Sequence, residues 1–249
     1  MKLSPLDEKL PNFLHDYLPI EPKDDKVFVT LTYAQSLDSK ISSGPGIRTV
    51  ISHPETKTMT HYLRYHHQGI LIGTSTLLVD DPGLNCKWNP FNETTNLDKY
   101  SPRPIVIDMK RQWNFKGSKM EQLYLQKKGK SPIIVVNKLP THADQEENVD
   151  YFVYDNSDVI DWELLFLNLK NKYNIKSIMV EGGGNVINQL LLRHDLVNSL
   201  IITIGSVYLG ENGVSVSPSS NVQLSDVKWW VGTTDSVLSC RLKNNKDSS

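Results

Sequence analysis

The chain has few cysteines, little excess charge and no long apolar run. Two cysteines among 249 residues, Cys86 and Cys240, are too few for a disulfide framework and fit a reducing compartment. A formal net charge of −1 argues against a nucleic-acid partner. No apolar run approaches the length of a membrane span. We therefore expect a globular protein that has neither nucleic acid nor membrane as a partner.

The chain also lacks a signal-peptide pattern and a linker. Its first ten residues carry charges where a signal peptide needs an apolar core, so the expected location is the cytoplasm. No repeat and no linker divides the sequence. We predict a single domain over residues 1–249, with an N-terminal extension over 1–26, a core over about 27–242 and a frayed tail over 243–249.

Several well-known catalytic motifs are missing. Gly129–Ser131 is like the end of a phosphate-binding P-loop, but Tyr124 stands where that motif needs its first glycine. No Gly-x-Ser-x-Gly elbow is present. His53–Glu55 matches half of the zinc-deaminase signature, but Pro-Cys-x-x-Cys is absent. His66–His67 has no cysteine or carboxylate partner at ligand spacing, so we expect no metal.

Strand-like and helix-like patterns alternate along the chain. Ser52 and Glu55 form a predicted capping box that opens a helix through about Tyr65, and Asp161 can cap a second helix. Strands are predicted at Val27–Tyr33, Gly69–Gly73, Pro104–Asp108, Pro132–Val136 and Leu200–Ile204, and a strand pair within Lys228–Leu242. This order predicts an α/β fold with a mostly parallel central sheet, helices on both faces and an antiparallel C-terminal edge.

The segment Ile178–Leu192 has the pattern of a strand, a glycine turn and a helix. The strand ends near Glu181, and Gly182, Gly183 and Gly184 precede an apolar helical pattern. Bare N–H groups at a helix N-terminus bind phosphate or pyrophosphate, and ligands of open α/β sheets bind at the carboxyl ends of strands. A tight turn that needs positive φ is the alternative, but three adjacent glycines exceed what one turn requires.

Two further segments stand at predicted strand ends. Thr30–Ile41 runs from a strand into a loop, where Ala34 is small enough for a flat ring to approach the main chain; a small residue packed under a loop explains it equally well. Gly73–Lys87 begins with hydroxyl side chains that can cap a short helix or hold phosphate oxygens. Asp80–Gly83 is a good turn on ordinary grounds and by itself indicates no catalysis.

In combination, these segments resemble the riboflavin-pathway reductases. The matching residues, in chain order, are Ala34-Gln35-Ser36-Leu37-Asp38, Gly73 with Thr76, Asp80-Asp81-Pro82-Gly83-Leu84 and Val180-Glu181-Gly182-Gly183. The chain is similar to the fungal reductases of 2,5-diamino-6-(ribosylamino)-4(3H)-pyrimidinone 5′-phosphate over roughly Val27 to Leu242. It is more distantly similar to the reductase half of the bacterial bifunctional deaminase–reductase. The absent deaminase signature agrees with a stand-alone reductase.

The resemblance implies a dihydrofolate-reductase-like fold, NADPH as cofactor, a homodimer, and reduction of the ribosyl sugar through its open imine to a ribityl side chain. By motif match, Ala34 would meet the nicotinamide carboxamide through its backbone. The other cofactor-binding residues would be Gly73, Thr76, Asp80, Gly182, Gly183, Gly184, Asn185, Val186 and Ile187. The substrate-binding residues would be Arg64, Leu84, Asn85, Lys87 and Glu181.

Charge agrees with these assignments. Arg64 and Lys87 suit a 5′-phosphate, although a solvated position near a helix end also explains Arg64. Many bacterial relatives carry lysine where this chain has Thr32, so a proton transfer by that lysine cannot be copied here. Glu181 becomes the first candidate for proton handling, and it also suits a cationic imine carbon. Asp38 is the second catalytic candidate, unless it only fixes its loop.

Two alternatives and one open residue assignment remain. A pterin reductase on the same fold and a non-catalytic NADP-binding regulatory protein are the competing functions. The pair Lys110–Arg111 follows a predicted strand and can meet the 2′-phosphate of NADPH, which a solvated basic pair explains equally well. Phosphate-facing cations favour a phosphorylated substrate over a pterin.

Overall fold

A large, mostly parallel sheet forms the centre of the computed structural model, which describes residues 3–19, 26–154 and 159–243. In chain order the strands are β1 (Phe28–Gln35), β2 (Lys40–Ser42), β3 (Gly69–Gly73), β4 (Arg103–Ile107), β5 (Ile133–Val136), β6 (Asp150–Val153), β7 (Ser177–Gly182), β8 (Val197–Ile204), β9 (Val214–Ser215), β10 (Leu224–Val231) and β11 (Ser236–Leu242). Within the described residues, nine of them form one sheet, and β2 pairs with β9 in a separate small one.

The sheet has the order β10-β11-β8-β1-β7-β3-β4-β5-β6. From β8 to β6 every neighbouring pair is parallel, whereas β11 is antiparallel to both β8 and β10. The predicted parallel sheet with an antiparallel C-terminal edge is therefore confirmed. The short strands β2, β6 and β9 were not predicted, because they are two to four residues long and carry little apolar periodicity.

Helices cover both faces of the sheet. They are α1 (Leu10–Leu14), α2 (Pro54–Tyr65), α3 (Thr74–Asp80), α4 (Lys119–Leu125), α5 (Trp162–Tyr173) and α6 (Gly184–Leu190), with short 3₁₀ turns at His15–Tyr17, Leu97–Tyr100 and His142–Asp144. Alternate strand residues face opposite sides. In β7, Ile178 and Val180 pack with α5 and α6, whereas Met179 packs with α1 and α2. Helices α3 and α4 cover the same side of the sheet as α2, over β3 and β4.

The start of α2 differs from its predicted cap. His53, not Ser52, is the N-cap residue: its Nδ1 accepts the N–H of Glu55 at 3.4 Å, and Pro54 takes the first helical position. The Glu55 carboxylate does not reach back, because it accepts the N–H of Thr233 at 2.9 Å. The predicted Asp161 cap is confirmed, since its carboxylate accepts the N–H of Leu164 at 3.1 Å.

Part of the predicted N-terminal extension belongs to the core. Leu10, Leu14 and Tyr17 are almost fully buried and pack in one cluster with Met59 and Leu63 of α2. Residues 1–2, 20–25 and 244–249 of the predicted extension and tail lie outside the described residues. Among the described helices, none has both the length and the apolar content to cross a membrane.

The sheet has a switch point between β7 and β3. After β3 the chain passes through α3 to β4 on one side, and after β7 it passes through α6 to β8 on the other. Ligands of open α/β sheets bind where neighbouring connections diverge in this way. The fold therefore places the glycine turn and the segment after β3 at the same end of the sheet.

Candidate active site

A cleft of about 350 Å³ opens at the carboxyl ends of the central strands. Its floor includes Thr32 and Ala34 of β1, Ile72 of β3, Glu181 of β7 and Thr203 of β8. A second cavity of about 570 Å³ adjoins it. Both cavities are lined by Thr76, Asp80 and Gly183 among others, so they form two parts of one cleft. The size is in the range of cofactor and small-molecule sites.

The end of β1 is unpaired on one side. Its register with β7 stops at Leu31↔Val180, whereas its register with β8 continues to Gln35↔Ile204. Beyond Leu31, therefore, the β7-facing edge of β1 has no strand partner among the described residues. Ala34 lies on this stretch and lines the cleft. A planar amide can hydrogen-bond to such a free backbone edge, as a further strand would.

The N-termini of α3 and α6 meet at the glycine turn. Their N-cap residues, Gly73 and Gly183, have no side chain to cap the helix. A Cβ on Gly183 would lie 2.7 Å from Oγ1 of Thr76, and one on Gly73 would lie 3.2 Å from Cγ2 of Val186. The glycines therefore allow two uncapped helix starts to approach each other. The first N–H groups of a helix have no partner within the helix, and such groups can bind phosphate.

The residues of the glycine turn do not all serve the pyrophosphate-binding role expected of them. The residue with positive φ is Gly182, at +131°, whereas Gly183 has φ −78° and is required for space. Ile187 lines the cleft with its side chain, but its N–H donates to the carbonyl of Gly183 at 3.0 Å and is not available to a phosphate. The side chain of Val186 is buried in the core. Gly184 and Asn185 line the second cavity.

Arg64 and Glu181 form a bidentate ion pair in the wall of the cleft. Nε of Arg64 donates to Oε1 of Glu181 at 2.7 Å, and Nη2 donates to Oε2 at 2.6 Å. The third direction of the guanidinium is also used, because Nη1 donates to the carbonyl of Asn85 at 2.9 Å. The two side chains are only 13% and 17% exposed. Both residues lie at the predicted end of the sheet, but their pairing with each other has no signal in the sequence.

This pairing fixes the charge of Arg64. Burial lowers the pKa of its guanidinium, but the charge and hydrogen bonds of Glu181 outweigh burial and raise that pKa. The pair is therefore a persistent cation held against a carboxylate. The two short hydrogen bonds from Arg64 fix the orientation of the Glu181 carboxylate, which suits a role in orientation and charge stabilisation.

Asp38 lines neither cavity. Its carboxylate accepts the hydroxyl of Ser36 at 2.5 Å and the N–H groups of Leu209 and Gly210 at 3.1 and 2.8 Å. These hydrogen bonds, led by that of Ser36, lower the pKa of Asp38 to about 2. The side chain joins the loop after β1 to the segment after β8, and its catalytic role stays a prediction.

The other predicted substrate-binding residues differ in their position relative to the cleft. Leu84 is buried and lines the cleft. Asn85 contributes its main-chain carbonyl to Arg64, while its side-chain amide donates to the carbonyl of Lys128 at 3.0 Å. Lys87 is exposed, and its N–H donates to Nδ1 of His61 at 3.2 Å. These residues therefore lie near the end of the sheet that was predicted for them. The sequence did not show which of their atoms face the cleft.

Asp80 stands at the boundary of the two cavities. Burial raises the pKa of its carboxyl, and the charge of Arg48 opposes that shift. Arg48 approaches to 3.7 Å, and Oδ1 of Asp80 is buried without a hydrogen-bond partner among the described residues. Lys110 and Arg111 follow β4 and line neither cavity. Their proposed contact with the 2′-phosphate remains a prediction.

Several lining residues were missed in the sequence. Lys57 and Thr60 line the cleft from α2, seven and four residues before Arg64. That spacing places all three on one helical face, a signal that the sequence does contain. Residues 48–52 also line the cleft, from a loop with no regular structure. No group of three or more His, Cys, Asp or Glu side chains in the described ranges is placed to hold a metal ion.

The chain is similar to known proteins over most of its length. Residues 27–238 match the family model described as the RibD C-terminal domain. The 2,5-diamino-6-ribosylamino-4(3H)-pyrimidinone 5′-phosphate reductase of Saccharomyces cerevisiae is 56% identical over 98% of this chain and 100% of its own length. The solved structure of the riboflavin biosynthesis reductase Rib7 of the same yeast superposes with a TM-score of 0.82, at 52% identity, over 95% of this chain and 100% of that one.

The fold is shared more widely. A dihydrofolate reductase from Enterococcus faecalis, solved with NADP(H), has a TM-score of 0.50 at 12% identity over 87% of this chain and 97% of its own. At that identity the likeness concerns the fold alone, and it confirms the dihydrofolate-reductase-like architecture. The chain belongs to the RibD C-terminal domain family. It is a reductase of the riboflavin pathway, as the resemblance implied.

Proposed function

We propose that the chain catalyses the NADPH-dependent reduction of the ribosylamino side chain of 2,5-diamino-6-(ribosylamino)-4(3H)-pyrimidinone 5′-phosphate to the ribitylamino form, an early step of riboflavin biosynthesis. One observation carries the proposal. A single cleft combines a free β1 edge, two uncapped helix starts and, across from them, a buried Arg64–Glu181 pair. The printed function of the yeast relative supplies the substrate.

The residues present fit a dinucleotide cofactor. Ala34 would hold the nicotinamide carboxamide through its backbone, on the stretch of β1 that lacks a partner. The N–H groups at the starts of α3 and α6 would hold the pyrophosphate. Gly183 has no side chain to cover these groups, and an added Cβ would lie only 2.7 Å from Oγ1 of Thr76. NADPH supplies the hydride, while the protein supplies binding, orientation and electrostatics.

The substrate then occupies the side of the cleft that contains Arg64, Glu181 and Leu84. The Glu181 carboxylate, held by Arg64, accepts hydrogen bonds from the pyrimidine amino groups or stabilises positive charge at the imine carbon. Leu84 gives an apolar wall to the ring. A fixed anion beside a cationic imine favours the open, reducible form of the sugar without requiring a strong acid.

We also propose a cytoplasmic homodimer. Both cysteines are free and buried, as suits a reducing compartment. The edge strand β10 exposes Val227, Trp229 and Val231 by 46%, 57% and 77%. An apolar strand at a sheet edge marks an interaction surface. Sedimentation should show a dimer that Trp229→Lys converts to monomer; a wild-type monomer at micromolar concentration would contradict the assembly.

Turnover assays separate this function from its competitors. The protein is mixed with NADPH and the pyrimidine phosphate, and in parallel with NADPH and dihydrofolate, while the loss of NADPH absorbance is followed. We expect NADPH to be consumed in the presence of the pyrimidine phosphate and not in the presence of dihydrofolate. Faster turnover of dihydrofolate would identify a pterin reductase, and NADPH binding without turnover would identify a regulatory protein. Equal catalytic efficiency with NADH would refute the NADPH preference.

A further inference from the structure

An Asn-Gly pair lies in the connection between β8 and β9. Asn212-Gly213 is the only such pair in the sequence. Asn212 is exposed, and its side-chain amide forms no hydrogen bond with a described residue. The pair belongs to a turn in which the N–H of Gly213 donates to the carbonyl of Gly210 at 3.1 Å. Because Gly213 has no side chain, nothing on that residue shields its main-chain nitrogen from the Asn212 amide.

Such a pair can react with itself in water. The main-chain nitrogen of Gly213 attacks Cγ of Asn212, a C–N bond forms that closes a cyclic imide, and the bond from Cγ to the side-chain nitrogen breaks. That nitrogen leaves as ammonia, with the proton of the Gly213 N–H. Water then opens the imide at either carbonyl, which gives aspartate or isoaspartate. An exposed turn opens locally at low cost, which releases the Gly213 N–H for the reaction.

The turn is held at both of its ends. On one side the carboxylate of Asp38 accepts the N–H groups of Leu209 and Gly210 at 3.1 and 2.8 Å. On the other side Gly213 packs against β2, where an added Cβ would lie 2.8 Å from Cγ of Lys40 and 2.9 Å from the carbonyl oxygen of Ser42. In isoaspartate the main chain runs through Cγ and is longer by one CH₂ group. The turn has no room for that group unless β9 moves against β2.

Strand β9 is part of the wall of the cofactor half of the cleft. Val214 and Ser215 line the second cavity together with Gly184. Cγ1 of Val214 would lie 3.5 Å from a Cβ on Gly184, the first residue of α6. Nζ of Lys40 donates to Oγ of Ser215 at 2.7 Å, which joins β9 to β2. A shift of β9 therefore changes the cavity next to the start of α6.

We infer that Asn212 is a site of spontaneous deamidation, and that isoaspartate at this position weakens NADPH binding by displacing β9. The modification depends only on the turn and on water. Its effect on the cofactor rests on the proposed function, because that function assigns the pyrophosphate to the start of α6.

Peptide mapping of the folded protein tests the modification. Wild-type protein is kept at neutral and at mildly alkaline pH, digested and analysed by mass spectrometry, and isoaspartate is labelled with an isoaspartyl methyltransferase. We expect the peptide that contains residue 212 to gain one mass unit and the label, faster at the higher pH because the attacking nitrogen must lose its proton.

Asn198 is the internal control for the mapping. It is also followed by a small residue, Ser199, but it lies in β8 and its Oδ1 accepts the N–H of Val29 at 2.8 Å. We expect Asn198 to stay unmodified over the same period. An unmodified Asn212, or modification of Asn198 at the same rate, would overturn the inference.

Cofactor binding tests the displacement of β9. NADPH is titrated into fresh and aged wild-type protein, aged Asn212→Ser and fresh Asn212→Asp. We expect the isoaspartate form in the aged wild type to bind about tenfold more weakly, as for the loss of one hydrogen bond to the pyrophosphate. Asn212→Ser cannot form the imide, and Asn212→Asp adds the charge without the extra main-chain atom, so both should keep the affinity of fresh wild type.

The two halves of the inference can fail separately. Full NADPH affinity in protein that carries isoaspartate at residue 212 would overturn the displacement of β9. Equal weakening in fresh Asn212→Asp would overturn it too, because charge alone would then explain the loss. If fresh wild type does not bind NADPH while isoaspartate still forms at residue 212, the proposed function fails and the modification site stands.

Discussion

Removal of Arg64 should damage the enzyme through Glu181. The two side chains share hydrogen bonds of 2.7 and 2.6 Å and are only 13% and 17% exposed. Breaking a fully buried ion pair from one side costs about 3–5 kcal/mol. Because water in the cleft can reach part of the Glu181 carboxylate, we expect Arg64→Ala to lower the free energy of unfolding by about 2–3 kcal/mol.

A surface pair of the same geometry provides the control. Arg193 donates to both carboxylate oxygens of Asp195 at 2.8 and 2.6 Å, but those side chains are 29% and 42% exposed. Exposed pairs contribute about 0–1 kcal/mol. Urea unfolding of Arg64→Ala and Arg193→Ala therefore compares the same hydrogen bonds at two degrees of burial. Equal losses in the two variants would show that burial of the Arg64 pair has no energetic weight.

The same substitution separates two roles of Arg64 in catalysis. If Arg64 positions Glu181, then Arg64→Ala and Glu181→Gln each lower kcat/KM by about 10–100-fold, and the double variant is little worse than either. The loss should be equal for substrates with and without phosphate, and NADPH affinity should stay nearly constant. Arg64→Lys should rescue only partly, because a point charge cannot reproduce the fork. Additive losses restricted to the phosphorylated substrate would instead make Arg64 a direct phosphate ligand.

Three further predictions concern the cofactor half, the core and the start of α2. Gly183→Val places atoms against Oγ1 of Thr76 and should weaken NADPH binding at least about tenfold; unchanged affinity in a titration of the folded variant would locate the pyrophosphate elsewhere. His67 is buried and its pKa is lowered by burial to about 4, so the unfolded chain binds its proton first as pH falls below about 6.5. Between pH 7 and pH 5 this histidine should therefore lower the free energy of unfolding by about 2 kcal/mol. Urea unfolding at both pH values should show that His67→Gln loses less free energy of unfolding on acidification than the wild type does. Equal losses in the two proteins would contradict this role of His67. The buried carboxylate of Asp235 accepts the N–H of His53 at 2.7 Å and the hydroxyl of Thr56 at 2.5 Å. Asp235→Ala should therefore lower the free energy of unfolding by about 2–3 kcal/mol in thermal or urea unfolding, and Asp235→Asn should lower it by less.

The sheet was predictable because its signals are local. The runs Gly69–Gly73 and Ile133–Val136 are short, apolar and bounded by turn residues, and each forms a buried strand as expected.

The N-cap of α2 was predicted wrongly because two neighbouring residues can both cap the helix. Ser52 and His53 can both accept from the first turn, and the sequence does not show that Asp235, far along the chain, fixes His53 in the cap position.

The site was predictable in its location but not in its partners. The motifs that follow β1, β3 and β7 indicated which strand ends meet, and the topology places them around one cleft. Pairing such as that of Arg64 with Glu181 depends on side-chain direction over 117 residues of separation, which no local pattern encodes. Asp38 is a further example, because its hydrogen bond to the N–H of Leu209, 171 residues along the chain, has no local signal either.

Transfer of deuterium from cofactor to product tests the central claim most directly. The protein is incubated with the pyrimidine phosphate and NADPH that carries deuterium at both hydrogens of the nicotinamide C4, and the product is analysed by mass spectrometry and NMR. The account predicts a ribitylamino product with one deuterium on the side-chain carbon attached to nitrogen, together with loss of one of the two deuterium atoms from the cofactor. Deuterium on the pyrimidine ring, or no labelled product while NADPH still binds, would contradict the assignment of this cleft as a ribosylamino reductase site.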